Sequence, residues 1–343
     1  MFTIKRVVMP EPFQCQVSLF EEAELSAPQA GEVLIETEAS AISAGTELAV
    51  YTGVHQWLND PTRTWPRFPF VPGYSAVGRI VSAGSDVANF AIGDRVIFGG
   101  RHESHAVLSV NAPGQLIHKI NESTPAQIMA FVGLARFPFT ALVQSKEILG
   151  QCVAVMGQGT IGQLAIRMFA AAGAYPVISV DTVASRRERA EEMIGAIGVD
   201  PTSPNLKDEL RAINGGALPD IVVEATGNPQ AVKTAMNIVE SGGKVIMVGS
   251  PRGIAGDVDF YWDLHGRSIQ LIGAHGSAIG VEPREKFSFV RDRAMRTLIH
   301  FFESGKVKID DLITHYVHAN DAKAMYDGLL NQKEDFLGVA LHW

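Results

Sequence analysis

The sequence is poor in cysteine and has neither a long apolar run nor a basic block. Two cysteines, Cys15 and Cys152, among 343 residues exclude a disulfide scaffold and any metal site built from a cysteine cluster. No stretch of about 18 or more apolar residues occurs, so no membrane span is expected. The most apolar span, 152–180, is broken by Gly157, Gln158, Gly159, Gly162 and Arg167. Lys and Arg number 29 against 37 Asp and Glu, a net charge of −8. A nucleic-acid partner is therefore not expected, since binding a phosphate backbone takes a basic face. Residues Met1-Phe2-Thr3-Ile4-Lys5-Arg6 lack the apolar core of a secretory signal, and the expected location is cytoplasmic. What the chain does have is apolar content, 46%, enough for real cores. Its length suggests two domains.

Organisation changes near residue 150. Before it, short strand-like segments (Val33–Ala39, Ala76–Val81, and Gly93–Phe98 as a turn feeding another strand) are punctuated by glycine and proline, as in an antiparallel barrel. Residues 51–70, with Trp57, Trp65 and three prolines, read as an ordered loop. After it, short apolar strands at 153–156, 177–180, 221–224, 244–248 and 269–272 alternate with helical stretches at 161–172, 185–196 and 229–240. That alternation indicates a parallel sheet covered on both faces. Helical segments at 291–304 and 320–331 and a strand at 337–341 close the chain. The expected domains are 1–145, 146–279 and a C-terminal return, 280–343, to the first.

Gly157-Gln158-Gly159-Thr160-Ile161-Gly162 matches G-x-G-x-x-G between a strand and a helix. The first glycine allows the tight turn, the second the approach of a pyrophosphate, and the third close helix–strand packing. Asp181, 19 residues beyond Gly162 at the end of the next strand, stands where an acid binds the ribose hydroxyls. Its charge favours NAD over NADP. Ser185, Arg186 and Arg187 keep NADP open. Ala225-Thr226-Gly227 and Val248-Gly249 end later strands, where ribose and nicotinamide contacts are expected.

Taken with Ser43-Ala44-Gly45-Thr46-Glu47-Leu48, Pro72-Gly73-Tyr74-Ser75-Ala76-Val77-Gly78, Gly93-Asp94-Arg95-Val96, Glu224-Ala225-Thr226-Gly227 and Asp311-Leu312-Ile313-Thr314-His315, the chain resembles the medium-chain alcohol/polyol dehydrogenases over its whole length. The resemblance implies an α/β Rossmann domain with a six-stranded doubly wound parallel sheet, a GroES-like β-barrel catalytic domain, and a homodimer or homotetramer. It also implies where zinc ligands would stand. Those positions hold Ala44, the Tyr74-Ser75 pair and, from its distance to Thr140, Arg136. A methyl and a guanidinium cannot bind Zn²⁺ and a phenol seldom does, so a zinc-free branch is expected.

Without zinc another group must take the alcohol proton. The resemblance puts Thr46 at the relay hydroxyl, with a local turn as its other reading. Tyr74 at a former ligand position is either an acid/base or a filler of the vacated volume. His102 is either on the pocket wall or in a surface loop. Arg136 either orients a carboxylate, phosphate or carbonyl or forms a salt bridge at the domain boundary. The expected activity is NAD-dependent interconversion of a secondary alcohol (polyol, sugar, cyclitol or similar metabolite) and its ketone. Two alternatives are an NADPH-dependent C=C reductase and a non-catalytic dinucleotide-binding protein.

Overall fold

In a computed structural model of the chain, the described residues are 3–21, 28–280 and 290–343. In chain order the first stretch contains β1 (Thr3–Val8), β2 (Gln16–Glu21), β3 (Glu32–Ala41), α1 (Ala44–Tyr51), β4 (Ala76–Ala83), β5 (Arg95–Phe98), β6 (His105–Ser109), β7 (Ile117–Lys119), α2 (Ala126–Met129) and α3 (Val132–Ser145). The middle stretch contains β8 (Val153–Met156), α4 (Thr160–Ala171), β9 (Val177–Val180), α5 (Ala184–Ile194), β10 (Ile197–Val199), α6 (Leu206–Ile213), β11 (Ile221–Glu224), α7 (Pro229–Ile238), β12 (Lys244–Met247) and β13 (Gln270–Gly273). The last contains α8 (Arg291–Glu303), β14 (Ile313–His318), α9 (Ala322–Asn331) and β15 (Gly338–His342).

The chain divides into two compact units. Unit 1 takes residues 1–134, 291–305 and 312–343; unit 2 takes 135–290 and 306–311. The first division thus falls inside α3, and a hexapeptide of the C-terminal stretch belongs to unit 2.

Unit 1 is built on a seven-stranded sheet of order β14-β15-β3-β4-β5-β7, with β6 also on β3. β4 runs along one edge of β3 from Val33 to Ser40. The other edge is shared, residues 32–36 pairing with β6 and 39–41 with β15. All of these pairings are antiparallel except β14 on β15. A core of Val33, Ile35, Ile80, Val96 and Phe98 forms because alternate residues of a strand share one face. The 55–70 segment is ordered by its own side chains. The Arg67 guanidinium donates to the carbonyls of Trp57, Leu58, Asp60, Arg63 and Pro66. The rings of His55, Trp57, Trp65 and Phe70 stack edge to face.

Unit 2 has a six-stranded parallel sheet of order β10-β9-β8-β11-β12-β13. Its central strands are mostly apolar because both faces are covered. Ala154, Met156, Ile178, Val180, Val222 and Val245 pack to one side. Val153, Val155, Val177, Ile221, Val223 and Ile246 pack to the other. Strand order reverses between β8 and β11, which creates a switch point at their carboxyl ends. Even Gln163 and Arg167 of α4 are buried. Arg167 makes a bidentate pair with Asp311 at 2.6 Å and reaches the Lys308 carbonyl, which fixes the returning hexapeptide to this unit. No helix among the described residues is long and apolar enough to cross a membrane.

Candidate functional site

The glycine loop of unit 2 has the geometry of a tight turn leading into a closely packed helix. Gly157 has φ +85°, and a Cβ there would stand 2.7 Å from Thr226 Cγ2. A Cβ on Gly162 would lie 1.7 Å from the Gly157 carbonyl oxygen, so the helix can approach the strand only as glycine. Gly159 is different. A Cβ there would meet nothing within 4 Å, and Gly159 is the N-cap of α4 with no side-chain cap. Open space thus lies beside an N-cap residue that has no side chain, at the positive end of a helix dipole, a cradle suited to a diphosphate. Thr160 and Ile161 form the first turn.

Asp181 closes the loop from below. Its Oδ2 accepts the Gln158 N–H at 2.5 Å and its Oδ1 the Val183 N–H at 2.9 Å. A carboxylate has about four lone-pair sites, so two remain for ribose hydroxyls. Arg187 is turned onto the Asp181 carbonyl at 2.5 Å and stands 3.7 Å from Asp200. Arg186 is half-buried, and its carbonyl accepts Gln163 Nε2. These residues and the open cradle fit a dinucleotide.

The strand ends Ala225-Thr226-Gly227 and Val248-Gly249 are knitted together by Glu224. Its carbonyl accepts the N–H groups of Val248 and Gly249 at 2.8 and 2.9 Å. Its Oε1 accepts Thr226 N–H at 2.6 Å, Gly227 N–H at 3.1 Å and the Thr226 hydroxyl. The residue is fully buried, and Oε2 has no partner. Burial holds this carboxyl above the usual glutamate range, and the three hydrogen bonds oppose the shift. No role was assigned to Glu224 from the sequence. The available signal was an acid ending an otherwise apolar strand.

In unit 1 the candidate hydroxyls surround the start of α1. Thr46 is half-buried, and no hydrogen bond of its hydroxyl is found among the described residues. Tyr74, also half-buried, donates to Ser43 Oγ at 2.5 Å. Ser75 is buried, and its hydroxyl is spent on the Ala130 carbonyl.

His102 corrects an expectation. It lies neither on a pocket wall nor in an exposed loop; its exposure is 0%. Nδ1 pairs with Ser40 Oγ at 2.8 Å and Nε2 with Glu47 Oε2 at 3.1 Å. Glu47, itself 1% exposed, also accepts Tyr326 Oη at 2.6 Å and the Ser43 N–H at 3.0 Å. With both ring nitrogens engaged inside the unit, His102 is a holder of structure and not a group that meets substrate. The missed partners differ in legibility. Ser43 and Glu47 are one residue off the spacing of a capping box, whereas Tyr326 lies 279 residues from Glu47 and leaves no local signal.

Arg136 belongs to unit 2, half-buried on α3, with its carbonyl accepting the Thr140 hydroxyl at 2.9 Å. Of the positions where the resemblance puts zinc ligands, those in unit 1 offer a methyl (Ala44), a phenol bonded to a serine (Tyr74) and a spent serine hydroxyl (Ser75), and Arg136 in unit 2 offers a guanidinium. These do not fit Zn²⁺. No cluster of three or more His, Cys, Asp or Glu that could hold a metal occurs among the described residues.

Residues 29–115 match the alcohol dehydrogenase GroES-like domain, and residues 160–289 match the zinc-binding dehydrogenase family. D-guloside 3-dehydrogenase of Escherichia coli K12 is 24% identical over 346 residues, covering 96% of this chain and 97% of its own. The 2-desacetyl-2-hydroxyethyl bacteriochlorophyllide A dehydrogenase of Cereibacter sphaeroides is 27% identical over 333 residues, with 93% of each chain covered. The crystal structure of 2R,3R-butanediol dehydrogenase from Bacillus subtilis superposes with a TM-score of 0.82 at 21% identity over 99% of both chains. The chain belongs to the medium-chain dehydrogenase/alcohol dehydrogenase-like superfamily.

Proposed function

We propose that this chain is an NAD-preferring, zinc-independent dehydrogenase that interconverts a secondary alcohol and its ketone. Its substrate class is a polyol, sugar, cyclitol or similar hydroxylated metabolite. The observation that carries the reading is the Asp181 carboxylate, anchored to the Gln158 N–H beside the open cradle over Gly159. That carboxylate accepts ribose hydroxyls and repels a 2′-phosphate. The named activities of the two relatives, on a sugar derivative and on a hydroxyethyl group, support oxidation at a carbinol. Bound dinucleotide supplies a hydride acceptor at nicotinamide C4. The chain supplies the cradle and the group that takes the hydroxyl proton. Tyr74 and Thr46 are the candidates for that group, and the donor set at the family's ligand positions supports doing without zinc.

A second copy of the chain is the expected partner, as a homodimer or homotetramer. β13 is an edge strand whose residues are mostly exposed. Near it in sequence stand exposed Phe260 (67%), Tyr261 and Trp262 (69%), an arrangement that calls for cover.

The test is a cofactor-linked absorbance screen of polyols, sugars, cyclitols and hydroxy acids with NAD and NADP, run with and without a chelator. The expected result is turnover with NAD that survives chelation. Asp181→Ala should weaken NAD binding by about 10-fold or more and leave NADP binding much less affected. Zinc-restored activity after chelation sinks the metal-free reading, and equal weakening of both cofactors sinks the ribose role.

A further inference from the structure

Ser43 is in a position to cap α1, and its side chain does not do so. It is the N-cap residue, with φ −88° and ψ 82° and no side-chain cap bond, although serine is among the strongest N-caps. Its hydroxyl is instead taken by the Tyr74 phenol, 2.5 Å away. The helix start is held by other means. Glu47 Oε1 accepts the Ser43 N–H at 3.0 Å, and the Ser43 carbonyl accepts the Glu47 N–H at 2.9 Å. Ser43 is thus clamped on both backbone sides, and its side chain is left for Tyr74.

The clamp is rigid because Glu47 is held by buried donors. Its Oε2 is bonded to His102 Nε2 and Tyr326 Oη, and Ser43, Glu47, His102 and Tyr326 are each at most 5% exposed. The same His102 fixes the segment that carries Tyr74. Its backbone N–H donates to the Pro72 carbonyl at 2.9 Å. Gly73, at φ +98°, leaves no room for a Cβ, which would come within 2.5 Å of the His102 nitrogen. On the far side of Tyr74, Ser75 is tied to Ala130. The two segments that place the phenol, 43–47 and 72–75, are therefore tethered to one interior histidine.

We propose that Ser43 is a positioning residue, held by Glu47 and His102, that fixes the Tyr74 hydroxyl for exchanging the substrate alcohol's proton. The inference rests on Tyr74 being the proton-transfer group. In alcohol oxidation the C–H electron pair leaves as hydride to the nicotinamide and the C=O bond forms. The O–H proton goes to the Tyr74 phenolate. Ketone reduction runs the same steps backwards, with the phenol as donor. A serine hydroxyl suits both states, because it accepts from the phenol and, with its own proton turned, donates to the phenolate. The carboxyl group facing the pair is Glu47, whose oxygens take three donors. The other titratable groups bonded within this network are His102 and Tyr326.

The test uses Tyr74→Phe, Ser43→Ala and Ser43→Thr in the full chain. Tyr74→Phe should lower kcat by about 100-fold. Ser43→Ala should lower it by about 10-fold with little change in KM, and move the pH at which kcat rises to more alkaline values; Ser43→Thr should restore both. A second readout needs no cofactor. Absorbance titration of tyrosinate in the unliganded protein should show one ionisation missing in Tyr74→Phe and displaced to higher pH in Ser43→Ala. Full activity of Tyr74→Phe overturns the reading of Tyr74 as the proton-transfer group. Loss in Tyr74→Phe with an unmoved pH profile and an unmoved tyrosinate titration in Ser43→Ala overturns the role of Ser43 alone.

Discussion

In unit 2 the candidate cofactor loop takes its shape from missing side chains, whereas in unit 1 the candidate hydroxyls are held by side chains that are present and buried. Gly157 and Gly162 are tolerated only as glycine because a Cβ would strike Thr226 or the Gly157 carbonyl. Glu47, by contrast, works through both oxygens, which gather Ser43, His102 and Tyr326. A site of the first kind is damaged by added atoms and one of the second kind by removed ones. The first draws on the ends of neighbouring strands, with Gly157 against Thr226 and its N–H on the Val180 carbonyl. The second joins residues from β3, α1, the 99–104 loop and α9.

Deletion in unit 1 should have the largest effect. Glu47→Ala leaves His102 and Tyr326 buried without their acceptor, and should cost about 3–5 kcal/mol in a urea or thermal unfolding measurement. A variant as stable as the parent would break the contrast between the units. Addition in unit 2 comes next. Gly162→Ala must displace the Gly157 carbonyl and should cost about 3 kcal/mol, whereas Gly159→Ala adds an atom to open space and should change stability by less than about 1 kcal/mol. Gly159→Ala should still weaken NAD binding by about 10-fold or more, read by titration of cofactor fluorescence, because the new methyl occupies the diphosphate cradle. Equal stability losses in the two alanine variants would show that the difference in space does not matter.

The smallest effect concerns Glu224, a buried carboxyl that holds backbone at the strand ends. Its folded pKa is raised above the ordinary value by burial, so in the window above about 4.5 the folded state binds more protons than the unfolded chain. Its contribution is therefore full below the ordinary carboxyl range and is lost as pH rises through the folded value. Glu224→Gln, which cannot titrate, should flatten that part of a stability–pH curve. An unchanged slope would mean that Glu224 ionises as freely when folded as when unfolded.

The same contrast explains what was legible in the sequence. Strands β8, β9 and β11 fall where the apolar runs place them, because a strand buried on both faces is mostly apolar. The glycine turn and the helix start that follows it were readable because that backbone geometry needs fixed residue types at fixed spacings. The short edge strand β10 was not readable. β10 is only three residues, with Ile197 and Gly198 exposed, and has no periodicity to detect. His102 was misplaced for a related reason. A histidine after Gly99-Gly100 looks like a loop residue until Ser40 and Glu47, 62 and 55 residues away in sequence, are brought to its two nitrogens.

The hexapeptide 306–311, which returns to unit 2 and delivers Asp311 to Arg167, and the strand β15, which pairs with β3, bear on how the chain is made. β3 leaves the ribosome about 300 residues before β15 can pair with it, so the larger sheet waits for most of synthesis with part of one edge open. Nearly all of unit 2 emerges within that interval and can collapse around its own parallel sheet. Its buried Arg167 must then hold a cation without its carboxylate until Asp311 arrives. Nascent chains stalled before and after residue 311 should therefore differ in protease resistance around α4, which makes this ion pair a marker of the order in which the two units mature.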